Sequence, residues 1–205
     1  MRVIPYGNEA VLAEFDSLVD VMGFTADLET TPPLGVIDVV PAARTVMVWF
    51  DGAVTDIERV RRDLLARDVV ARELPEGDEI EVPIDYDGAD LSFVAELTEL
   101  NESEVVRRHC GATYVVAFIG MAPGFYFLAG GDPSLQVPRR PSPRTFVPRG
   151  GVGLAGEFTG IYPRKGPGGW QLIGTTPAEL WDGTHYPSAL LAPGTRVRFV
   201  ESGQK

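Results

Sequence analysis

Between residues 118 and 178, six cationic side chains (Arg139, Arg140, Arg144, Arg149, Arg164 and Lys165) stand against only two acidic ones, Asp132 and Glu157. The chain carries a formal charge of −11, so this +4 segment leaves −15 on the rest. A local excess of this kind suits a concave surface where guanidinium forks and free backbone amides meet an anion or an acidic partner. Its plain alternative is a set of solvated basic loops. The sharpest part is the run PRRPSPRT at residues 138–145. Its three prolines stiffen the backbone, so Arg139, Arg140 and Arg144, with Thr145 beside them, are presented with little entropy left to lose. Gly151, Gly153 and Gly156 have G-x-G-x-x-G spacing, but TGIYP follows where a dinucleotide fingerprint requires a helix. These glycines either bring backbone amides close to a carboxylate or phosphate or serve as barrel corners. Thr159 and Tyr162, just beyond, offer hydroxyls that can orient a ligand.

A second group is apolar. Pro123, Gly124, Phe125 and Tyr126 form a Pro-Gly turn straight after a strand, and Phe158 and Trp170 add bulk. Together they read as the wall of a pocket for a small, partly apolar substrate, as a partner contact, or as the plug of a barrel end. Only two histidines exist, His109 and His185, so there is no H-E-x-x-H and no zinc cluster. His109 ends a helix, where an imidazolium can complement the macrodipole, and it is a weak candidate for acid–base work. The one cysteine, Cys110, cannot form an internal disulfide and reads as a small buried side chain in a reducing compartment. No G-x-x-x-x-G-K-[ST] loop is present.

The elements that must position these residues fall into two regions. Residues 10–15 read as a strand, 17–29 as a helix stopped by Thr31-Pro32-Pro33, 36–40 and 45–50 as a hairpin, and 55–68 as a helix opened by a Thr55/Glu58 capping box. With a last strand near residues 69–74 this is the order of a ferredoxin-like βαββαβ unit. A linker at 74–78 leads to a strand at 80–84, a helix from Asp90 to about Leu100, and a helix capped by Asn101 that stops at Gly111. Beyond Thr113 the helical period disappears. Short apolar runs at 114–119, 171–173 and 196–200, separated by Gly and Pro, predict an antiparallel sheet or barrel with long loops. Apolar content of 44% and charge of 23% describe an ordinary globular protein. No uncharged apolar stretch of membrane-spanning length and no leader-like amino terminus is read, so the expected location is cytoplasmic. The acidic balance argues against a nucleic-acid partner.

Taken together, FIGMAPGF at 118–125, Gly131-Asp132-Pro133, Pro138-Arg139-Arg140, Pro143-Arg144-Thr145, Val147-Pro148, Gly153, Gly156, TGIYP at 159–163 and PGGWQLIGTTP at 167–177 resemble the family called allophanate hydrolase subunit 1, or KipI-like. The match is dense from Thr113 to Asp182 and weaker before about residue 78. It departs from the family pattern at Tyr126 and Phe158, which make the site bulkier and more apolar. The resemblance implies an α+β protein: a small ferredoxin-like α/β domain at residues 1–76, then a cyclophilin-like antiparallel β-barrel at 77–205. It also implies a KipA-like partner (allophanate hydrolase subunit 2), a LamB/YcsF-type protein, and an ATP-dependent 5-oxoprolinase that opens a small lactam or amide substrate. ATP would then act at the level of the complex. Relatives imply two alternatives, a carboxyltransferase component of urea carboxylase and an inhibitor of a sensor histidine kinase. No complete catalytic set is expected within this chain.

Overall fold

The computed structural model describes residues 1–68, 79–184, 186 and 188–203. The chain forms two compact units, Met1–Leu74 and Pro75–Lys205. The expected boundary at 76/77, the linker and the last ferredoxin strand near 69–74 all lie outside the described residues.

In the first unit, β1 (Arg2–Pro5), β2 (Ala10–Glu14), β3 (Val36–Pro41) and β4 (Thr45–Phe50) form an antiparallel sheet in the order β1-β2-β4-β3. Alternation along β2 and β4 sends Val11, Ala13, Val46, Val48 and Phe50 to one face. Two helices cover that face: α1 (Leu18–Thr30) through Val21, Phe24 and Leu28, and α2 (Ile57–Leu65) through Val60 and Leu64. Each fully buried side chain of this size contributes roughly 1.5–3 kcal/mol by leaving water. Ser17 caps α1, its hydroxyl accepting from the Asp20 amide. α2 is capped by Asp56, one residue after the Thr55 of the expected capping box, because the Asp56 carboxylate accepts from the Arg59 amide at 2.8 Å. The strand-helix-strand-strand-helix order is as read, but β1 is additional. It occupies the edge beside β2 where a ferredoxin-like unit would place its last strand, so that fold is not established here.

The second unit contains β5 (Glu79–Ile84), α3 (Leu91–Leu97), α4 (Glu102–Gly111), β6 (Tyr114–Ile119), β7 (Tyr126–Ala129), β8 (Arg144–Val147), β9 (Gly151–Ala155), β10 (Phe158–Ile161), β11 (Gly166–Gly168), β12 (Gln171–Thr175) and β13 (Arg196–Glu201). Seven strands run in the order β12-β9-β10-β7-β6-β13-β5. Past β5, the Asp85 amide donates to the Thr175 carbonyl and the Thr175 amide to the Asp85 carbonyl, both at 2.8 Å, which brings the two ends of the sheet together into a nearly closed barrel. The expectation of an antiparallel barrel needs correction: β13 and β5 pair in parallel, so the sheet is mixed. The parallel register is physically natural because paired residues of the two strands lie 117 positions apart, and the chain between them provides the crossover that a hairpin could not. The interior is filled by residues such as Ile84, Val94, Val105, Val116, Leu128, Val152, Ile173 and Phe199. β8 and β11 form a separate two-stranded ribbon.

Candidate functional site

The seam of the barrel builds the charged site. After Asp85 the chain continues alongside β12, with the Gly88 amide donating to Ile173 and the Asp90 amide to Leu172. Only glycine fits at 88, since a Cβ there would lie 2.2 Å from the Ile173 carbonyl carbon. This run delivers Asp90 to the start of α3. Its side chain does not cap that helix; it turns to the proline-stiffened strap instead. Oδ1 accepts from Arg140 Nη1 at 2.7 Å and from Arg144 Nη2 at 2.6 Å, while Oδ2 accepts from the Leu172 amide at 2.7 Å. The Asp90 side chain is 3% exposed. Burial pushes its carboxyl upward, but the hydrogen bonds from Arg144 and Leu172 and the charges of both guanidiniums outweigh burial and hold it below the usual carboxylate range. Asp90 is therefore a fixed anion, unsuited to accept a proton in catalysis.

Two guanidiniums on one carboxylate leave one positive charge uncompensated. They also leave buried donors idle: Arg140 Nε and Arg144 Nη1 have no hydrogen-bond partner among the described residues. The Trp170 indole nitrogen is in the same condition, and the Tyr162 O–H has no acceptor among the described residues, although the Trp170 amide pulls on its oxygen; both residues are buried to within 2%. Tyr162 underlies the ribbon: a Cβ on Gly168 would lie 2.2 Å from the Tyr162 hydroxyl, and Gly168 is the register partner of Arg144. Burial pushes the Tyr162 phenol up, against an opposing pull from the Trp170 amide and the Arg139 and Arg144 charges. A buried polar group left unpaired costs about 1–3 kcal/mol, so this concentration of idle donors calls for an explanation.

The strap is braced from three sides. The Arg140 amide donates to the Gly169 carbonyl at 2.8 Å, Gln171 Nε2 donates to the Pro138 carbonyl at 3.0 Å, and β8 pairs with β11. Arg139 and Thr145 are exposed. Among the other expected cations, Arg149 pairs with Glu179 at 2.6 Å and Lys165 lies over the Phe146 ring.

The structure brings Arg140, Arg144, Tyr162 and Trp170 together but not every expected residue. Gly151 and Gly153 lie within β9, whose neighbours β10 and β12 occupy both its edges, and the Gly156 amide donates to the Val137 carbonyl at 2.8 Å. These amides serve the barrel wall. Period-two alternation on β10 turns Thr159 and Ile161 inward and Phe158 outward. Thr159 thus faces His109 rather than the arginines. Phe125 and Trp170 meet edge to face at 5.3 Å within an aromatic cluster that includes Phe158, while Tyr126 points into the barrel and donates to the Leu180 carbonyl at 2.7 Å. All four are buried in the wall; Pro123 is exposed and Gly124 buried.

His109 belongs to a second group. Nδ1 lies 2.7 Å from the Tyr86 hydroxyl, which also lies 3.0 Å from Cys110 Sγ, and Nε2 lies 3.5 Å from Thr159 Oγ1. Burial pulls the imidazole down to about 3, so at neutral pH it is uncharged and does not complement the α4 dipole as an imidazolium. Burial raises the Cys110 thiol, which keeps it a poor nucleophile. Tyr86 and Cys110 line a groove of about 1010 Å³ whose lining includes neither Arg140 nor Arg144. Among the described residues no cluster could hold a metal ion, and no helix is long and apolar enough to cross a membrane. Sequence reasoning missed Asp90 as a site residue; its only local signal is a helix-cap position, and its partners lie 50 and 54 residues away.

Comparison with known proteins gives the same architecture. The chain is 35% identical over 223 residues to the B-type subunit of 5-oxoprolinase from Bacillus subtilis (strain 168), with 97% of this chain and 92% of that protein covered. The crystal structure of TTHA0988 superposes on 97% of this chain with a TM-score of 0.76 and 33% identity, and this chain spans 41% of that one. The urea amidolyase of K. lactis shares the fold alone, with a TM-score of 0.77 and 20% identity over 98% of this chain and 15% of that one. Residues 1–191 match the family described as carboxyltransferase domain, subdomain C and D, and the chain belongs to that family.

Proposed function

We propose that this chain is the B-type subunit of an ATP-dependent 5-oxoprolinase, working with a KipA-like subunit and a LamB/YcsF-type protein. The observation that carries this reading is the near full-length similarity to the 5-oxoprolinase protein of Bacillus subtilis. The arginine cluster supports it chemically. A lactam resists hydrolysis, and transfer of the ATP γ-phosphoryl group to the lactam oxygen, releasing ADP, makes the ring carbon open to water; one water adds there, the ring nitrogen takes up a proton and leaves as the C–N bond breaks, and a second water hydrolyses the resulting acyl phosphate to glutamate and phosphate. Such a route needs cationic donors for an anionic reactant and for charge developing on oxygen. Arg140 and Arg144, fixed by Asp90, supply them, with Arg139 exposed alongside. Among the described residues His109 and Cys110 lie in the other group, so the remaining acid–base and nucleotide-binding groups come from the partners.

Co-expression with the two partner types, followed by measurement of glutamate formed from 5-oxoproline and ATP, tests the reading. In the active assembly Arg144→Ala lowers turnover at least about tenfold, equivalent to about 1.4 kcal/mol. Unchanged turnover with intact assembly removes Arg144 from this role. The family match favours one second reading, a carboxyltransferase-type component. Carboxylation of urea that depends on a biotin carrier, with no glutamate formed from 5-oxoproline, would select it.

A further inference from the structure

We propose that the ribbon of β8 and β11 closes over a binding site for one small organic carboxylate, held by the donor edges that Asp90 leaves free. The inference rests on the 5-oxoprolinase reading only for the identity of the ligand. Asp90 takes one edge of each guanidinium, through Arg140 Nη1 and Arg144 Nη2. The unfilled donors, Arg140 Nε and Arg144 Nη1, belong to the same two forks, and the Tyr162 hydroxyl lies beneath the same ribbon against Gly168. Two idle guanidinium donors, with the Tyr162 O–H under the strand that pairs with Arg144 and a net single positive charge, suit the acceptor oxygens of a monoanion. A phosphoryl dianion or a nucleotide triphosphate would overfill that charge, so the geometry selects a carboxylate over a phosphate. Asp90 is a positioning residue: it orients both forks and leaves their other donor edges unclaimed.

The idle atoms are closed off from solvent, so entry requires the ribbon to lift. β8 and β11 pair with each other and not with the seven-stranded sheet, and Thr145 and Phe146 are exposed, so lifting breaks no sheet pairing, though it must part Arg144 from Asp90 and draw Val147 out of its packing until the ribbon returns. The strap's prolines limit the conformations it can adopt once lifted, which favours its return.

The test is calorimetric titration of the full chain, alone and in the co-expressed assembly, with 5-oxoproline, with its carboxamide (which lacks the negative charge) and with inorganic phosphate. Binding of 5-oxoproline that is at least about tenfold tighter than either comparison ligand is expected. Tyr162→Phe should weaken it about fivefold and raise KM with little change in kcat, while the thermal midpoint stays within a degree or two. Equal affinity for acid and carboxamide, competition by phosphate on equal terms, or a Tyr162→Phe chain that binds like the wild type overturns the site even if the assembly makes glutamate. Conversely, an assembly that makes no glutamate but binds another small carboxylate with the same Tyr162 dependence supports the site and removes the 5-oxoprolinase reading.

Discussion

His109 has a measurable signature of its own at the scale of single residues. Its folded value is depressed to about 3 by burial, against an ordinary value near 6.5, so the unfolded chain binds this proton more readily than the folded one. Stability from this group is fully present above about pH 6.5 and is lost as pH falls toward 3, at up to about 1.4 kcal/mol per pH unit. Between pH 6.5 and 5, above the usual carboxylate range, chemical denaturation of the wild type should show that slope, and His109→Asn should flatten it. An unchanged slope in the variant would assign the effect elsewhere. Asp90 marks the limit of what single residues reveal in sequence. A proline-rich arginine run announces an anion by its composition, whereas an aspartate before a helix looks like a cap, and only the folded seam shows that its carboxylate serves the strap. Sequence left Gly151, Gly153 and Gly156 open between an anion cradle and barrel corners, and only the strand pairing that consumes their amides shows that they lie in the wall.

Elements were read well where a local rule governs them. Asn101 caps its helix through its side-chain oxygen as read, and 114–119 is a strand with the bounds expected from its apolar run. The misses have tertiary causes. β1 is a short strand whose pairing partner, not its own pattern, defines it, and the parallel union of β5 with β13 joins segments that carry no mutual signal in sequence. The Asp85–Asp90 run, which looked like a loop, is the element that holds the barrel closed. Gly88→Ala should therefore open this seam. The added Cβ meets main-chain atoms that cannot rotate away, so a loss of about 3 kcal/mol or more in urea denaturation is expected, with Arg140 and Arg144 released from Asp90 as a result. A variant as stable as the wild type would show that the seam contributes little.

At the scale of the whole molecule, each unit has its own core: Phe24, Leu28, Val48 and Phe50 in one, and Ile84, Val116, Leu128 and Phe199 in the other. Among the described residues each cluster draws its buried side chains from one unit, so a fragment of residues 79–203 should fold alone and retain the near-ultraviolet circular dichroism of its packed aromatics. A fragment lacking that signal would show that the amino-terminal unit completes the barrel. The union of β5 with β13 also bears on biosynthesis. Its partners lie 117 residues apart, and synthesis proceeds from the amino terminus, so β5 must wait, unpaired on that edge, until nearly the whole unit has left the ribosome. Such distant pairing makes folding slow relative to a local meander and leaves a sticky intermediate exposed during translation. Nascent chains stalled before β13 should thus be captured by chaperones.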